Sequence, residues 1–414
     1  MTKKSFILSI LTVFVQYYDY HLFGFLAANI ASHFFPADEV ITQLINAYFI
    51  MTVAMIAKPV GAIIFGKIGD LKGRSNSFKI SLIGTAIASI ILFATPSYES
   101  IGLISCFLLL ICRMAICGFV SSGSDGVRIY IYEHIPKSRQ CLGVGITTLF
   151  TQAGSLTASL SAGLFTLNYF PEYSWRFAFL IGGIMGLAVV LAMRATNFSD
   201  ETEIKNNSSF EKFKDSSIKN IISQNWKLFL LCIILAGGIG STNQFIIIFF
   251  GTYNFEILKT IDRSSMQSYI TIAIIFYMIF SIVSGYFADK FNRYYITIFG
   301  AISTIIFSIT LMVSLSNLTL SPISYIAIAI SLPFITMPAA AILKQSIPKS
   351  IRYRLFALSH AIGSVLISAP TALLSTYLYK ETNLTWLPVC YFITTILMIS
   401  YALYHLSKRA TEDQ

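Results

Sequence analysis

The stretch that decides the fold is Gly66-Lys67-Ile68-Gly69-Asp70-Leu71-Lys72-Gly73-Arg74, a charged, glycine-containing segment between two long apolar runs. A weaker copy is Gly285-Tyr286-Phe287-Ala288-Asp289-Lys290-Phe291-Asn292-Arg293. Gly, Asp and Arg recur at the same internal spacing, and each pair is separated by 219 positions (66 to 285, 70 to 289, 74 to 293). A charged turn that occurs once in each half of an apolar chain predicts two related membrane domains.

The composition supports a membrane protein. Of 414 residues, 55% are hydrophobic and 12% are charged, with a mean hydropathy of +0.71. Soluble domains carry about 25% charged residues, and a membrane span needs about 20 apolar residues. The net charge of +10 comes from basic residues scattered between apolar runs. That scatter indicates a role in membrane topology and predicts no nucleic-acid partner.

Cysteine and histidine usage predicts no metal, no cofactor and no enzyme. The cysteines lie in or beside apolar runs without metal-ligand spacing, which favours small buried hydrophobes. The histidines form no metal-binding pair at helical spacing, and no nucleophile elbow or phosphate-binding loop occurs. We expect no obligate protein partner. The residues concerned are Cys106, Cys112, Cys117, Cys141, Cys232, Cys390, His21, His33, His134, His360 and His405.

The apolar runs predict an all-α membrane protein with twelve transmembrane helices in two six-helix bundles, because lipid cannot satisfy an open backbone. The polar stretch between the sixth and seventh runs divides the chain into an N-terminal bundle (1–195), a linker (196–224) and a C-terminal bundle (225–414). The first run follows Lys3 and Lys4 and is interpreted as a retained helix rather than a signal peptide. The predicted spans are 6–30, 43–66, 77–95, 102–132, 140–168, 176–194, 227–256, 266–288, 295–315, 321–346, 354–379 and 385–407.

The distribution of Lys and Arg predicts that both termini are cytoplasmic, because most of these residues then fall in cytoplasmic segments. A second repeated motif supports two related halves. Ile135-Pro136-Lys137-Ser138 follows the fourth span, and Ile347-Pro348-Lys349-Ser350 follows the tenth. Two repeated halves joined by a polar loop are typical of alternating-access transporters whose binding site lies near the membrane midplane.

Several motifs carry a resemblance to a known family. The stretch Gly66–Arg74 is similar to the loop signature of the major facilitator superfamily. Tyr18-Asp19-Tyr20, Lys58-Pro59-Val60-Gly61-Ala62 and Arg113 resemble the metabolite:proton symporters within it, and the proline/glycine betaine branch is the most similar. The resemblance implies proton-coupled symport of a small metabolite across a bacterial inner membrane.

The sequence departs from the family pattern at three places. Gln16 stands where the pattern usually has Glu, and Lys58 stands where it has Arg. Ser121-Ser122-Gly123 replaces Gly-Gly-Glu, and an acid follows two residues later at Asp125. These positions belong to spans that would bind substrate and proton. The sequence therefore does not decide which metabolite is transported.

Asp19 is the leading candidate for the proton-linked carboxylate. An ionisable group inside a span is costly and needs a partner or a wet cavity. The alternative is a permanent structural pair between Asp19 and Lys58 or Arg113. His21 could relay protons beside Asp19 or simply pack between helices.

The other candidates for the substrate and proton site include cations with two interpretations each. Arg113 could bind a substrate carboxylate or Asp19, or it could brace helices. Lys58 could be a counter-ion, or its ammonium could reach a polar membrane edge. Asp125 and Arg128 share a helix face and form either a local pair or part of the site. The remaining candidates are Gln16, Tyr18, Asn243 and Gln244, and the rings of Tyr17, Tyr18 and Tyr20 could cage an ammonium.

The resemblance also implies a cytoplasmic gate that closes and opens during transport. Topology accounts for the positive charges of the signature but not for its repeated Asp or its glycine spacing. The predicted gate residues are Gly66, Asp70, Gly73, Arg74, Glu133, Arg139, Gly285, Asp289 and Arg293.

The leading substrate is a zwitterion such as proline or a betaine. The alternative is an organic acid or dicarboxylate, because Lys58, Arg113 and Arg128 would suit an anion. Apart from this small molecule and protons, the predicted partner is membrane lipid. A channel and a membrane enzyme are the rival classes, and the sequence favours neither.

Overall fold

The computed structural model describes residues 3–37, 39–72, 74–167, 169–196, 222–348 and 351–412. These residues form long helices joined by short connections, and no backbone strand occurs among them. The helices of the first half are α1 (Lys3–Phe25), α2 (Ala27–Phe34), α3 (Val40–Ala54), α4 (Ala57–Lys72), α5 (Arg74–Ala94), α6 (Leu103–His134), α7 (Gln140–Phe165) and α8 (Phe177–Ala195), with short turns at Tyr98–Ile101, Lys137–Arg139 and Glu172–Arg176.

The second half follows the same pattern. Its helices are α9 (Trp226–Asn243), α10 (Arg263–Lys290), α11 (Arg293–Ser316), α12 (Pro322–Ser346), α13 (Arg352–Gly363), α14 (Pro370–Thr382) and α15 (Leu387–Glu412). Helix α9 continues through Gln244–Phe249, Phe250–Thr252 and Tyr253–Ile257, of which the first and last are π-helical.

A third π-helical segment, Ser364–Ser368, joins α13 to α14. The N–H of Ala369 donates to the carbonyl of Ser364 at 2.7 Å, five residues back. Pro370 follows directly; it has no N–H, and its ring crowds the carbonyl four residues before it. The proline therefore accounts for the wider turn here.

Eleven helical stretches of the described chain are long and apolar enough to cross a membrane. The twelfth predicted span is α7, which has sufficient length but a more polar composition. Its buried face carries Thr147, Thr151, Gln152, Ser155 and Ser159. With α7, the chain forms the two six-helix bundles expected from the sequence.

The outer surface of the bundles is apolar, as lipid requires. Large hydrophobic side chains on one side of α6 are exposed, for example Phe107 at 63% and Ile111 at 61%. Similar residues occur on the outward faces of α4 and α11, including Ile63, Ile64 and Phe299. The protein is therefore a multi-pass membrane protein.

The two signature stretches are mostly helix rather than turn, which corrects the prediction of charged loops. Helix α4 continues to Lys72, and α5 begins at Arg74. In the copy, α10 continues to Lys290, and α11 begins at Arg293. In the copy, Lys290 lies in the last turn of its helix, where a basic residue interacts favourably with the last carbonyls. The side chains of Asp70 and Arg74, and all of Gly73, lie outside the described part.

The predicted spans match the helices with two further differences. The first span, predicted over 6–30, is divided at Leu26 into α1 and α2, and α4 extends beyond the predicted end of the second span at 66. Residues 197–221 are outside the described ranges, so the linker 196–224 stays a prediction.

The two halves contact each other closely where α7 meets α10. A Cβ added at Gly145 would lie 2.5 Å from the carbonyl oxygen of Ser281, and one at Gly285 would lie 2.6 Å from that of Cys141. Only glycine permits this approach. The recurring glycine of the second signature copy therefore has a packing role between the halves.

Candidate functional site

A cavity of about 120 Å³ lies between the two halves. This volume is below the roughly 300–1,000 Å³ of sites for drug-sized ligands, so it suits a small metabolite. Helices α1, α4, α6 and α7 line it from the first half, and α9, α10, α12 and α13 with the following π segment line it from the second. Its polar and charged lining residues are Tyr17, Tyr20, His21, Lys58, Arg128, Thr147, Thr148, Thr151, Gln152, Asn243, Gln244, Tyr277, Thr336, Lys344, His360, Ser364 and Ser368.

The two halves contact each other on both sides of the cavity. The side at which α1 begins and α15 ends is called the terminal side, and the other is called the far side. At the terminal side, Asp289 accepts hydrogen bonds from the N–H groups of Cys141 and Leu142 at 3.0 and 2.8 Å. At the far side, the Lys380 ammonium lies 3.4 Å from Glu39, and Arg263 donates to Asn29 at 2.9 Å.

Helix α1 presents a different face to the cavity from the one predicted. Tyr17, Tyr20 and His21 line the cavity, as the spacing of three and four residues places them on one helix face. Gln16 and Tyr18 are outside this lining. The Gln16 amide donates to Ser81 at 2.7 Å, and the Tyr18 hydroxyl donates to the carbonyl of Ala178 at 2.8 Å.

Asp19 is completely buried inside the first bundle rather than in the cavity lining. Its Oδ1 accepts from the Ser89 hydroxyl at 2.8 Å, and its Oδ2 has no hydrogen-bond partner among the described residues. A Cβ at Gly182 would collide with this carboxylate. The predicted alternative of a direct pair with Lys58 or Arg113 is not formed within 4.0 Å between these described side chains.

Arg113 is also buried in the first bundle, at 1% exposure, and lies outside the cavity lining. Its guanidinium lies over the rings of Tyr20 and Phe23, at 5.1 and 4.9 Å from their centroids. Nε and Nη1 have no hydrogen-bond partner in the described chain. These contacts fit the bracing interpretation of Arg113, while its charge remains near Asp19.

Lys58 lines the cavity and is 5% exposed. Its ammonium donates to the Ser364 hydroxyl of the other half at 3.5 Å and lies 4.6 Å from the centroid of the Tyr20 ring. No carboxylate of the described residues lies within 4.0 Å of it. A buried ammonium is costly without an anionic partner, and the described side chains provide none for Lys58 within 4.0 Å.

Arg128 lines the cavity on the terminal side of Lys58. It donates to the Thr151 hydroxyl at 3.4 Å and lies 4.8 Å from the Tyr17 ring centroid. The side chain of Asp125 is outside the described part, so the proposed pairing of Asp125 with Arg128 stays a prediction.

Asn243 and Gln244, the candidates from the second half, both line the cavity. Gln152 Nε2 donates to Asn243 Oδ1 at 2.8 Å across the halves. Gln244 Nε2 donates to the Tyr20 hydroxyl at 3.5 Å, again across the halves. The oxygens Gln152 Oε1 and Gln244 Oε1 are buried and have no partner in the described chain.

Lys344 is a cavity residue that the sequence did not reveal. It lies near the end of α12, where a cation is normally explained by membrane topology, yet it is 4% exposed and lines the cavity. Its ammonium lies 5.5 Å from the ring centroids of both Tyr132 and Phe356. The second half therefore contributes a charged side chain to the cavity as well as the neutral Asn243 and Gln244.

The predicted gate residues are only partly brought together. Arg293 lies 3.4 Å from Asp289 and donates to Gln345 at 2.7 Å. Glu133 and Arg139 are exposed, near the terminal ends of α6 and α7. Gly66 lies within α4.

The sequence pattern of the Major Facilitator Superfamily matches residues 9–337. The chain belongs to this superfamily. A proline/betaine transporter of Salmonella typhimurium is 27% identical over 403 residues, covering 93% of this chain and 79% of the relative. A putative proline/betaine transporter of Staphylococcus haemolyticus is also 27% identical, covering 95% and 85%.

Solved structures of the superfamily share the fold. A D-xylose-proton symporter has a TM-score of 0.74 at 15% identity, covering 97% of this chain and 96% of that one. A fucose transporter in the outward conformation has a TM-score of 0.66 at 12% identity, covering 97% and 98%. In this superfamily member, the cavity lies where the two bundles meet, as expected for a midplane site.

Proposed function

We propose that this superfamily member is a proton-coupled symporter of the bacterial inner membrane, with both termini cytoplasmic. It takes up a small zwitterion of the proline or betaine type by alternating access. The observation that carries this proposal is Lys58, a buried ammonium that lines the cavity and has no carboxylate neighbour among the described side chains. A substrate carboxylate would complete this charge. One relative reported above is named a proline/betaine transporter and the other a putative proline/betaine transporter.

Asp19 supports the proton-coupled part of the proposal. It is a fully buried carboxylate on the same helix as the cavity residues Tyr20 and His21. One of its oxygens has no partner in the described structure, so it can carry a proton without losing its bond to Ser89. We propose that its protonation alternates as the bundles rock and change its access to water.

A second candidate function is the transport of an organic acid or dicarboxylate. Lys58, Arg128 and Lys344 all line the cavity and come from both halves. Cations on opposite walls of the cavity would suit a substrate with two carboxylates. A zwitterion has one carboxylate and needs only one of these cations.

Ligand binding distinguishes the two candidates. Purified protein is expected to gain thermal stability with proline or glycine betaine, because a ligand that binds only the folded state stabilises it by mass action. At a concentration of about 100 Kd the gain is about 2.7 kcal/mol. The measurement is thermal unfolding with proline, glycine betaine and 2-oxoglutarate. Stabilisation by 2-oxoglutarate alone would remove the zwitterion assignment in favour of the organic acid.

We further propose that Asp289 latches the terminal side. Its carboxylate, 8% exposed, accepts two N–H groups at the N-terminus of α7, which belongs to the other half. Anions are stabilised at this end of a helix, and such charge-assisted bonds contribute about 1.5–3 kcal/mol each. A latch of this size can close the cavity and still be released.

Asp289→Asn is expected to open the terminal side more often, because the amide lacks the charge and one acceptor. Cys141 is fully buried beside this contact, so its labelling by a thiol reagent, followed by mass spectrometry, is expected to accelerate about tenfold, the equivalent of roughly 1.4 kcal/mol. Asp262→Asn is a matched control. Asp262 also accepts a hydrogen bond at a helix N-terminus, from the N–H of Ser265, but both residues belong to the second half. Equal labelling of Cys141 in the Asp289→Asn variant and in the parent would contradict the latch.

A further inference from the structure

Two buried acceptor atoms in the cavity have no hydrogen-bond donor among the described residues. Gln152 and Gln244 line the cavity from opposite halves, and each side chain is at least 95% buried. Their Oε1 atoms make no hydrogen bond within the described chain. Buried acceptors are normally satisfied, so a ligand with N–H or O–H donors fits these walls better than one without.

The hydrogen-bond network fixes which atom of Gln152 is unsatisfied. Asn243 Nδ2 donates to the carbonyl of Ile239 at 3.1 Å, so Asn243 Oδ1 is the acceptor for Gln152 Nε2. A flipped Gln152 amide would place two oxygens together. The free atom of Gln152 is therefore an oxygen, which can only accept.

The acceptors lie beside the cation that would hold a carboxylate. Tyr20 connects them: the Lys58 ammonium lies over its ring, and Gln244 contacts its hydroxyl. Lys58 and Gln244 thus contact the same tyrosine side chain. Gln152 completes the set through Asn243, the chain neighbour of Gln244. This arrangement fits a small molecule whose carboxylate and amine are close together.

The aromatic rings of the cavity are poorly placed to cage a quaternary ammonium. Such a cage needs open ring faces. Among the described contacts, Tyr17 has Arg128 over its ring, Tyr20 has Lys58 and Arg113, and Phe356 has Lys344. These are three of the four aromatic residues that line the cavity. A methylated ammonium would have to compete with the protein's own cations.

We infer that the site selects zwitterions whose nitrogen carries N–H donors, such as a secondary amino acid, over fully N-methylated betaines. Lys58 binds the carboxylate, and the Oε1 atoms of Gln152 and Gln244 accept the N–H groups. The inference rests on the proposed function. It distinguishes proline from betaine, which appear together in the names of the relatives. Removing a donor from the substrate leaves a buried acceptor unpaired, and sites of this kind discriminate strongly.

The test uses three ligands that share the carboxylate and the ring and differ only in methylation of the nitrogen. Proline has two N–H groups, N-methylproline has one and N,N-dimethylproline has none. Competition with labelled proline in proteoliposomes is expected to weaken at each step, by at least about tenfold over the whole series. 4-Methylproline is the control for added volume, because it has the atoms of N-methylproline but keeps both N–H groups. It is expected to compete better than N-methylproline.

Variants assign the selectivity to the acceptors. Gln152→Leu and Gln244→Leu are each expected to reduce the ratio of proline to N,N-dimethylproline affinity severalfold. Gln267→Leu is the matched control, since Gln267 also bonds across the halves, to Ser159, but lies outside the cavity lining. The ratio compares two ligands on the same protein, so a general loss of folding does not imitate the effect.

Two results would overturn the inference. Equal competition by proline and N,N-dimethylproline in the parent protein would refute the selectivity and leave zwitterion transport intact. An unchanged ratio in both Leu variants would refute the role of the acceptors. If neither compound competes and proline is not taken up, the proposed function itself is wrong.

Discussion

Asp19→Asn is expected to abolish accumulation of substrate under a proton gradient while exchange of bound substrate continues. Asn is nearly the same size as Asp, and its oxygen can still accept from Ser89, so the packing against Gly182 is preserved. What disappears is the ability to bind and release a proton. Uptake should therefore reach only the external concentration, whether or not the gradient is present.

The measurement is uptake of labelled proline into proteoliposomes with and without an imposed pH gradient, together with counterflow at equal pH. Ser89→Ala is a control that removes the hydrogen bond but keeps the carboxyl group, and it should still accumulate substrate. If the Asp19→Asn variant concentrates proline as well as the parent does, Asp19 is not the coupling group.

Lys58→Met is expected to reduce substrate affinity by about 10–100-fold. The ammonium is buried in the cavity without a carboxylate among the described residues near it, so a substrate carboxylate would make a charge-assisted bond with it. Such bonds contribute about 1.5–3 kcal/mol, and every 1.4 kcal/mol changes the dissociation constant tenfold. Methionine is unbranched and only one atom shorter than lysine, and it removes the charge.

Affinity can be measured by calorimetry or by competition for labelled proline. Lys380→Met is the matched control, because Lys380 also contacts the other half, at Glu39 and Thr42, but away from the cavity. Lys58→Arg should retain part of the affinity, since the charge remains. Unchanged binding by the Lys58→Met variant would show that the carboxylate is held elsewhere.

The fold could be predicted almost completely from the sequence, because burial in lipid allows only helices and because apolar runs mark them. Helix α7 shows the exception. The side chains that make it less apolar, such as Thr151 and Gln152, are those that face the cavity and the other half. In a transporter, weaker hydropathy of one span can thus indicate the site itself.

The rotation of each helix was harder to predict. Charges identified Asp19 and Lys58, but sequence alone could not show that Tyr17, Tyr20 and His21 face the cavity while Gln16 and Tyr18 face the bundle interior. A span surrounded by other helices is apolar on every side, so no periodicity defines its orientation. Tertiary packing, including the glycine contact with Asp19, determines it.

Lys344 was missed for a different reason. A cation near the end of a span is normally explained by membrane topology, and nothing in the local sequence distinguishes Lys344 from such residues. Only the approach of Tyr132 from the other half shows that the end of α12 is covered. Charges near span ends therefore need the structure of the neighbouring half before they are assigned.

Proton-coupled uptake of a zwitterion can be tested by recording proton and proline fluxes together in proteoliposomes that contain the parent protein. Adding proline outside, at equal pH, is expected to draw protons inward, so that the external medium becomes alkaline as labelled proline enters. Entry of proline without any proton movement would contradict it.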